Sequence, residues 1–174
     1  MNWEFDFLYA IQQIHQPLLD KIMVFLSTLG NAGIFWIVLS LILCIPRKTR
    51  TAGIQMLISM AIAFLLANLI LKPLIARDRP CWIDPTVPLL IKSPTDYSFP
   101  SGHSVNGFVT AVALFCNNRK AGTAALVLAV LIAFSRLYNF VHFPTDVAAG
   151  ILIGTVTAIV VHVMAKKLKK IKNR

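Results

Sequence analysis

What this chain has least of is charge. Only 14% of its 174 residues are Asp, Glu, Lys or Arg, against about 25% in an ordinary soluble domain. Acid is scarcer still: 7 acidic residues face 17 basic ones, leaving a net charge of +10. Such a shortage excludes a normal water-facing surface. A hydrophobic content of 57% and a mean hydropathy of +0.72 agree. Cysteine is sparse too. Cys44, Cys81 and Cys116 lie far apart with no CxxC spacing, which argues against a disulfide framework or a zinc site. Cys44 and Cys116 fall in apolar runs and read as small buried hydrophobes, while Cys81 lies in a loop. No internal repeat or low-complexity segment is visible. A cleavable signal peptide is not expected, because Glu4 and Asp6 stand where a basic leader would begin.

The positive charge is not spread like a nucleic-acid footprint. Eleven of the 17 basic residues fall in three places: Arg47, Lys48 and Arg50; Arg119 and Lys120; and Lys166, Lys167, Lys169, Lys170, Lys172 and Arg174. None of the acidic residues lies there. Short basic segments at alternate crossings are the positive-inside signature of a multi-pass membrane protein. The basic tail can also meet anionic headgroups, at about 1 kcal/mol per charge. The expected partner is the lipid bilayer, and nucleic acid is not.

The apolar runs predict an all-α, polytopic transmembrane bundle with three parts: residues 1–30, 31–165 and 166–174. In the first, Trp3, Phe5, Phe7, Leu8, Ile11 and Ile14 alternate with Glu4, Asp6, Gln12, Gln13 and His15, as in an interfacial amphipathic helix. Pro17 then opens a second short helix to about residue 29. Five crossings follow, at about 32–46, 52–71, 101–115, 121–138 and 146–165, with lengths suited to a hydrocarbon core about 30 Å thick. Gly150 and Gly154 fit a close helix contact inside the bundle. The last part, 166–174, is a basic cytoplasmic tail. With the basic segments on the cytoplasmic side, residues 1–30, 72–100 and 139–145 share the outer face.

These outer stretches and the helix ends beside them carry nearly all the remaining chemistry. A charge beside a long apolar run is costly unless it is used. Lys72, Arg79 and Arg136 supply fixed positive charge, which a phosphoryl group needs around its oxygens. Arginine forks two oxygens at once, whereas lysine acts as a point charge. Pro100-Ser101-Gly102-His103 opens a helix, where free N–H groups favour an anion. Gly102 permits close backbone approach, and the Ser101 hydroxyl can donate to an oxygen or cap the helix. His142 and Asp146 stand four apart around Pro144. A carboxylate so placed can fix the imidazole tautomer and leave the other nitrogen free to attack. His103 then suits the role of general acid. His15 and His162 lack such company and read as interfacial and structural. Arg77 and Asp78 read as a local pair or as support for the site.

Together the three stretches resemble the signatures of the type-2 phosphatidic acid phosphatase superfamily, in order: Lys72-PLIARD-Arg79-Pro80, Pro100-Ser101-Gly102-His103 and Ser135-Arg136-LYNFV-His142-FPT-Asp146. The resemblance covers about residues 31–165. It implies metal-independent hydrolysis of a lipid phosphate or diphosphate through a phosphohistidine, with no cofactor. It makes His142 the nucleophile, Asp146 its orienting partner and His103 the proton donor. Lys72, Arg79, Ser101, Gly102 and Arg136 become the phosphate-binding residues. One departure is Phe140, where members often have glycine.

The N-terminal pattern Met1-Asn2-Trp3-Glu4, with Leu19-Asp20-Lys21 further on, is similar to undecaprenyl-diphosphate phosphatases of that superfamily. These act on the outer face, and some carry Asp where this chain has Gly102. Phosphatidylglycerophosphate or phosphatidic acid is the alternative substrate. A lipid-phosphate binding or transport protein is the alternative outside enzymes, and it leaves the His142–Asp146 pair without a role. A vanadate-dependent haloperoxidase would share the anion pocket, but small size and five spans argue against it.

Overall fold

The computed structural model describes residues 3–172, and every regular element among them is helical. Met1, Asn2, Asn173 and Arg174, which include the end of the expected tail, lie outside the described residues. Two short helices begin the chain, α1 (Trp3–Gln12) and α2 (Pro17–Leu29). Pro17 starts α2 because its ring presets a helical φ and its missing N–H has no partner to lose in the first turn. A 3-10 turn (Asn31–Gly33) leads into α3 (Ile34–Cys44).

Next comes α4 (Arg50–Phe64), which continues through a π-helical stretch (Leu65–Leu71) into α5 (Lys72–Ile75). The long loop holds one further turn, α6 (Pro80–Ile83). Three long helices complete the chain: α7 (Gly102–Asn117), α8 (Arg119–Tyr138) and α9 (Pro144–Lys172). Asn118 starts α8 by accepting the Ala121 N–H at 3.1 Å.

Helix α7 is the axis, packed by α4, α8 and α9 and apolar on nearly every side: Val105, Val109 and Ala111 are fully buried. Gly150 and Gly154 let α9 lie close against it. A Cβ on Gly150 would stand 2.8 Å from the Ser101 carbonyl oxygen, and one on Gly154 would stand 2.8 Å from the Val105 carbonyl oxygen. The sequence pattern therefore marks a contact within the bundle.

Polarity is inverted relative to a soluble protein. Ser40, Gln55, Ser59 and Thr110 are buried, while Ile37, Leu41, Ile54, Ile58, Leu152 and Val160 are exposed. Apolar exposure on this scale belongs against lipid. By length and composition Arg50–Ile83, Arg119–Tyr138 and Pro144–Ile171 can each cross a membrane. The pair Pro17–Leu29 and Asn31–Cys44, bent by 46°, can form a fourth, broken span. α7 has only 16 residues, about 24 Å, and gains its apolar surroundings from neighbouring helices rather than from lipid.

Both ends of the bundle are defined by contacts. At one end Thr49 and Asn118 border one groove, and Gln55 takes bonds from Asn117 at 2.8 Å and His162 at 2.9 Å. The basic turns at 47–50 and 119–120 therefore sit together. At the other end the Ser101 N–H donates to the Asp146 carbonyl at 3.1 Å, joining the starts of α7 and α9.

Candidate active site

The loop between α8 and α9 is short and folds back on itself. The Val141 N–H reaches the Arg136 carbonyl at 3.2 Å, and Phe140 takes a left-handed φ of +56°. That conformation is why glycine suits this position. Here the Phe140 ring offsets the strain by burying itself beside Phe5 and Tyr9, at centroid distances of 6.2 and 5.8 Å. The turn delivers His142 into the protein, 1% exposed.

Each His142 nitrogen has distinct company. Nη1 of Arg79 stands 3.1 Å from Nε2. A guanidinium only donates, so Nε2 accepts and the ring proton sits on Nδ1. On that side Ser98 Oγ lies at 3.4 Å and Asp146 Oδ2 at 3.6 Å. The Asp146 contact is an ion-pair distance, longer than a hydrogen bond. Burial is the main force holding the imidazole well below its ordinary pKa. The charges of Arg79 and Arg136 add to it, against the opposing pull of Asp146. His142 is therefore a neutral ring with its lone pair on Nε2.

Asp146 is fully buried and fully bonded. Its Oδ2 accepts from the Ser98 hydroxyl and from the Phe143 N–H at 2.8 Å, and its Oδ1 accepts from Arg77 at 2.7 Å.

Arg79 is 2% exposed and held by several carbonyl groups. Beyond His142 it donates to Val141 O and Asp96 O, both at 2.7 Å, and to the Asp96 carboxylate at 2.8 Å. The other Asp96 oxygen takes Lys72 Nζ at 2.5 Å. Partial burial alone would raise the Asp96 carboxyl, but the Lys72 hydrogen bond and the charges of Lys72 and Arg79 outweigh it and hold the group at about 2. Arg136 donates to the Ser27 hydroxyl, and its Nε has no partner among the described residues.

His103 begins the central helix and is tied to the α2 end. Its Nε2 lies 3.1 Å from both the Ser27 carbonyl and Asn31 Oδ1. A carbonyl only accepts, so this nitrogen carries the proton.

These groups meet at a cavity of about 750 Å³, whose wall includes Lys72, Arg79, Gly102, His103, Arg136 and His142. Six of the eight residues singled out by sequence therefore share one wall. Asp146 stands behind His142, away from the cavity. Ser101 is fully buried, makes no side-chain cap and accepts instead from Ser104 at 3.1 Å. Among the described residues no three His, Cys, Asp or Glu side chains gather as a metal site.

Four neighbours escaped the sequence reading. Asp96 and Ser98 lie in the polar loop just ahead of Pro100, a position that gave a local hint. Ser27 and Glu4 come from the N-terminal helices and had none. Arg77 does not pair locally with Asp78. Its ion pairs are with Asp146 and with Glu4, 73 residues away.

The PAP2 superfamily profile matches residues 52–170, which hold all three stretches. The chain belongs to the PAP2 superfamily. Among its relatives, an undecaprenyl-diphosphatase of Sulfolobus acidocaldarius is 40% identical over 139 residues, covering 79% of this chain and 66% of that protein. The chain thus spans just under two thirds of that relative's length. The PAP2-type phosphatidylglycerolphosphate phosphatase of Bacillus subtilis has a similar crystal structure, with a TM-score of 0.75 and 31% identity over 92% of this chain and 83% of that one. LpxE of Aquifex aeolicus has a TM-score of 0.73 and 27% identity, over 92% and 95% of the two chains. The PAP2 fold therefore extends over nearly the whole protein, beyond the residues that the profile matches.

Proposed function

We propose that this chain is an integral membrane lipid phosphatase that hydrolyses undecaprenyl diphosphate on the outer face of the cell membrane. One observation carries the reading most: a neutral, buried His142 on the cavity wall keeps its lone pair on Nε2, where Arg79 donates to it, with Asp146 behind the other nitrogen. A cation-binding carboxylate site or a plain anion trap has no use for that tautomer.

In this reading the reaction runs in two steps. Lys72, Arg79, Arg136 and the Gly102 N–H surround the terminal phosphoryl group. His142 Nε2 attacks phosphorus, a phosphorus–nitrogen bond forms, and the bond to the bridging oxygen breaks. His103, protonated on both ring nitrogens, turns from Ser27 and Asn31 and gives its Nε2 proton to that oxygen, so undecaprenyl phosphate leaves and a neutral imidazole remains. Water then loses a proton to His103 and attacks phosphorus. The phosphorus–nitrogen bond breaks, inorganic phosphate departs, and both histidines return to their starting states. Asp146 stabilises the positive ring between the two steps, and no metal or cofactor is called on.

The positive-inside rule supports the membrane side. The basic turns cluster at the end of the bundle remote from His142, which supports a cavity on the outer face and a C-terminus in the cytoplasm. Five crossings fit this arrangement, with residues 1–30 lying in the interface. Phosphatidylglycerophosphate or phosphatidic acid is the second reading, favoured by the Bacillus subtilis relative that covers more of both chains.

The test is phosphate release by purified protein in detergent with excess EDTA. Undecaprenyl diphosphate, phosphatidylglycerophosphate and phosphatidic acid are offered separately, with His142→Ala as control. Metal-free release that is fastest from the diphosphate and lost in the variant is the expected result. Faster release from a phospholipid replaces the substrate. Binding of phosphate without release from any lipid overturns the enzyme reading in favour of a binding or transport protein.

A further inference from the structure

The first helix turns the wrong kind of residue inward. Trp3 and Phe7 of α1 are exposed, while Glu4 is 5% exposed. Its carboxylate reaches the start of α9 and the end of the first motif. Oε1 accepts from the Thr145 hydroxyl at 2.6 Å and its N–H at 3.3 Å, and Oε2 accepts from Arg77 at 2.6 Å. Arg77 spreads its other nitrogen between Thr145 Oγ1 and Asp146 Oδ1, both at 2.7 Å, and lies 4.1 Å above the Phe143 ring.

We propose that Arg77 is a positioning residue for the His142–Asp146 pair and that Glu4 holds it in place, making the N-terminal helix part of the catalytic apparatus. This rests on the function proposed above. Asp146 Oδ1 has Arg77 as its only partner among the described residues, whereas Oδ2 has Ser98, Phe143 and the facing ring of His142. Arg77 therefore fixes the plane in which Oδ2 is presented to Nδ1. Its planar fork reaches Asp146, Thr145 and Glu4 together, which a single ammonium cannot do.

Glu4 also sets the charge. A lone Arg77 cation beside Asp146 would draw the carboxylate's charge away from the ring that must become positive. With Glu4 on the far side, charges alternate along the chain Glu4, Arg77, Asp146, His142. Half the cation is answered from α1, and Asp146 keeps its strength for the imidazolium.

The experiment compares Arg77→Ala, Arg77→Lys and Glu4→Gln with the wild type. It measures kcat per folded protein, KM, and the inhibition constant of inorganic phosphate. The expected result is a kcat loss of roughly 10- to 100-fold in Arg77→Ala, the scale on which small misplacements act, with phosphate affinity changed less than about 2-fold. Arg77→Lys recovers part of the loss, and Glu4→Gln shows a smaller loss of the same kind. Unchanged kcat overturns the inference, as does a phosphate affinity that falls in step with kcat. Should Arg77→Ala not fold, the near-isosteric Glu4→Gln decides by the same criteria.

A readout free of turnover separates this inference from the phosphatase reading. In protein labelled at its four histidines, the His142 nitrogen resonances should move in Arg77→Ala while those of His162 stay. A wild type with no activity on any lipid sinks the phosphatase reading. An unmoved His142 resonance sinks the positioning role.

Discussion

Arg79 and Asp96 are bonded twice, once through the carboxylate at 2.8 Å and once through the Asp96 carbonyl at 2.7 Å. The carboxylate also holds Lys72, so two cations intended for an anion share an internal one. The Asp96 side chain is 57% exposed and lies on the mouth side of Arg79, which is nearly closed to solvent. A phosphate must displace it or share the cations with it.

Asp96→Asn should therefore tighten binding of inorganic phosphate by roughly 10-fold, the scale of one charge-assisted hydrogen bond. Competitive inhibition of lipid hydrolysis measures it. The effect should be constant from pH 5 to 8. A depressed carboxyl contributes fully above its ordinary value near 4, and loses that contribution only as pH falls toward about 2. Weaker phosphate binding in the variant would mean that Asp96 chiefly orients the cations.

Arg79→Lys keeps the charge and loses the fork. Since one guanidinium serves His142, Val141 and Asp96 together, kcat/KM should fall by about 100- to 1000-fold, the cost of removing one strong donor from a charged transition state. Steady-state kinetics on a short-chain substrate checks it, with protein yield and melting temperature nearly unchanged.

His142 should stay neutral well below pH 6. Burial, Arg79 and Arg136 depress its basicity, against Asp146 on α9. The lowered value means that the unfolded chain binds a proton here before the folded one does. Stability is thus lost as pH falls below the ordinary imidazole value near 6.5. Nitrogen chemical shifts followed from pH 8 to 5 should show no protonation of His142, and an inflection near 6.5 would contradict the burial argument.

Phe140 offers a test of strain against packing. Phe140→Ala removes the buried ring and keeps a side chain at φ +56°, and should cost about 3–5 kcal/mol. Phe140→Gly also loses the ring but relieves the backbone, by about 1–2 kcal/mol. Thermal unfolding should rank the wild type first, the glycine variant second and the alanine variant last.

Local patterns carried much of this molecule. Apolar runs located the long helices, because lipid demands continuous hydrophobic stretches. Short-range spacing brought His142 and Asp146 together, since the turn before α9 leaves His142 beside the first residues of that helix. The three motifs were legible because each packs its chemistry within a few residues. Glu4 on Arg77, Ser27 on Arg136 and Asp96 across Lys72 were not. Those contacts join segments 24 to 109 residues apart, and a buried acid in an amphipathic helix looks like any solvated one until its partner is placed. Phe140 was visible as a departure, but only the backbone reveals why glycine fits there and what the ring does instead.

The close seam between α7 and α9 has a further consequence. With Gly150 and Gly154 pressed to the α7 backbone and Ser101 bonded to the Asp146 carbonyl, the wall bearing Gly102 and His142, with Asp146 behind it, is one close-packed unit. The opposite side of the cavity has no such seam: it is built by α2 with Ser27 and Thr28, and by the loop from Leu90 to Asp96. His103 and Arg136 both meet α2 at Ser27, so the two sides of the cavity are joined through that one residue.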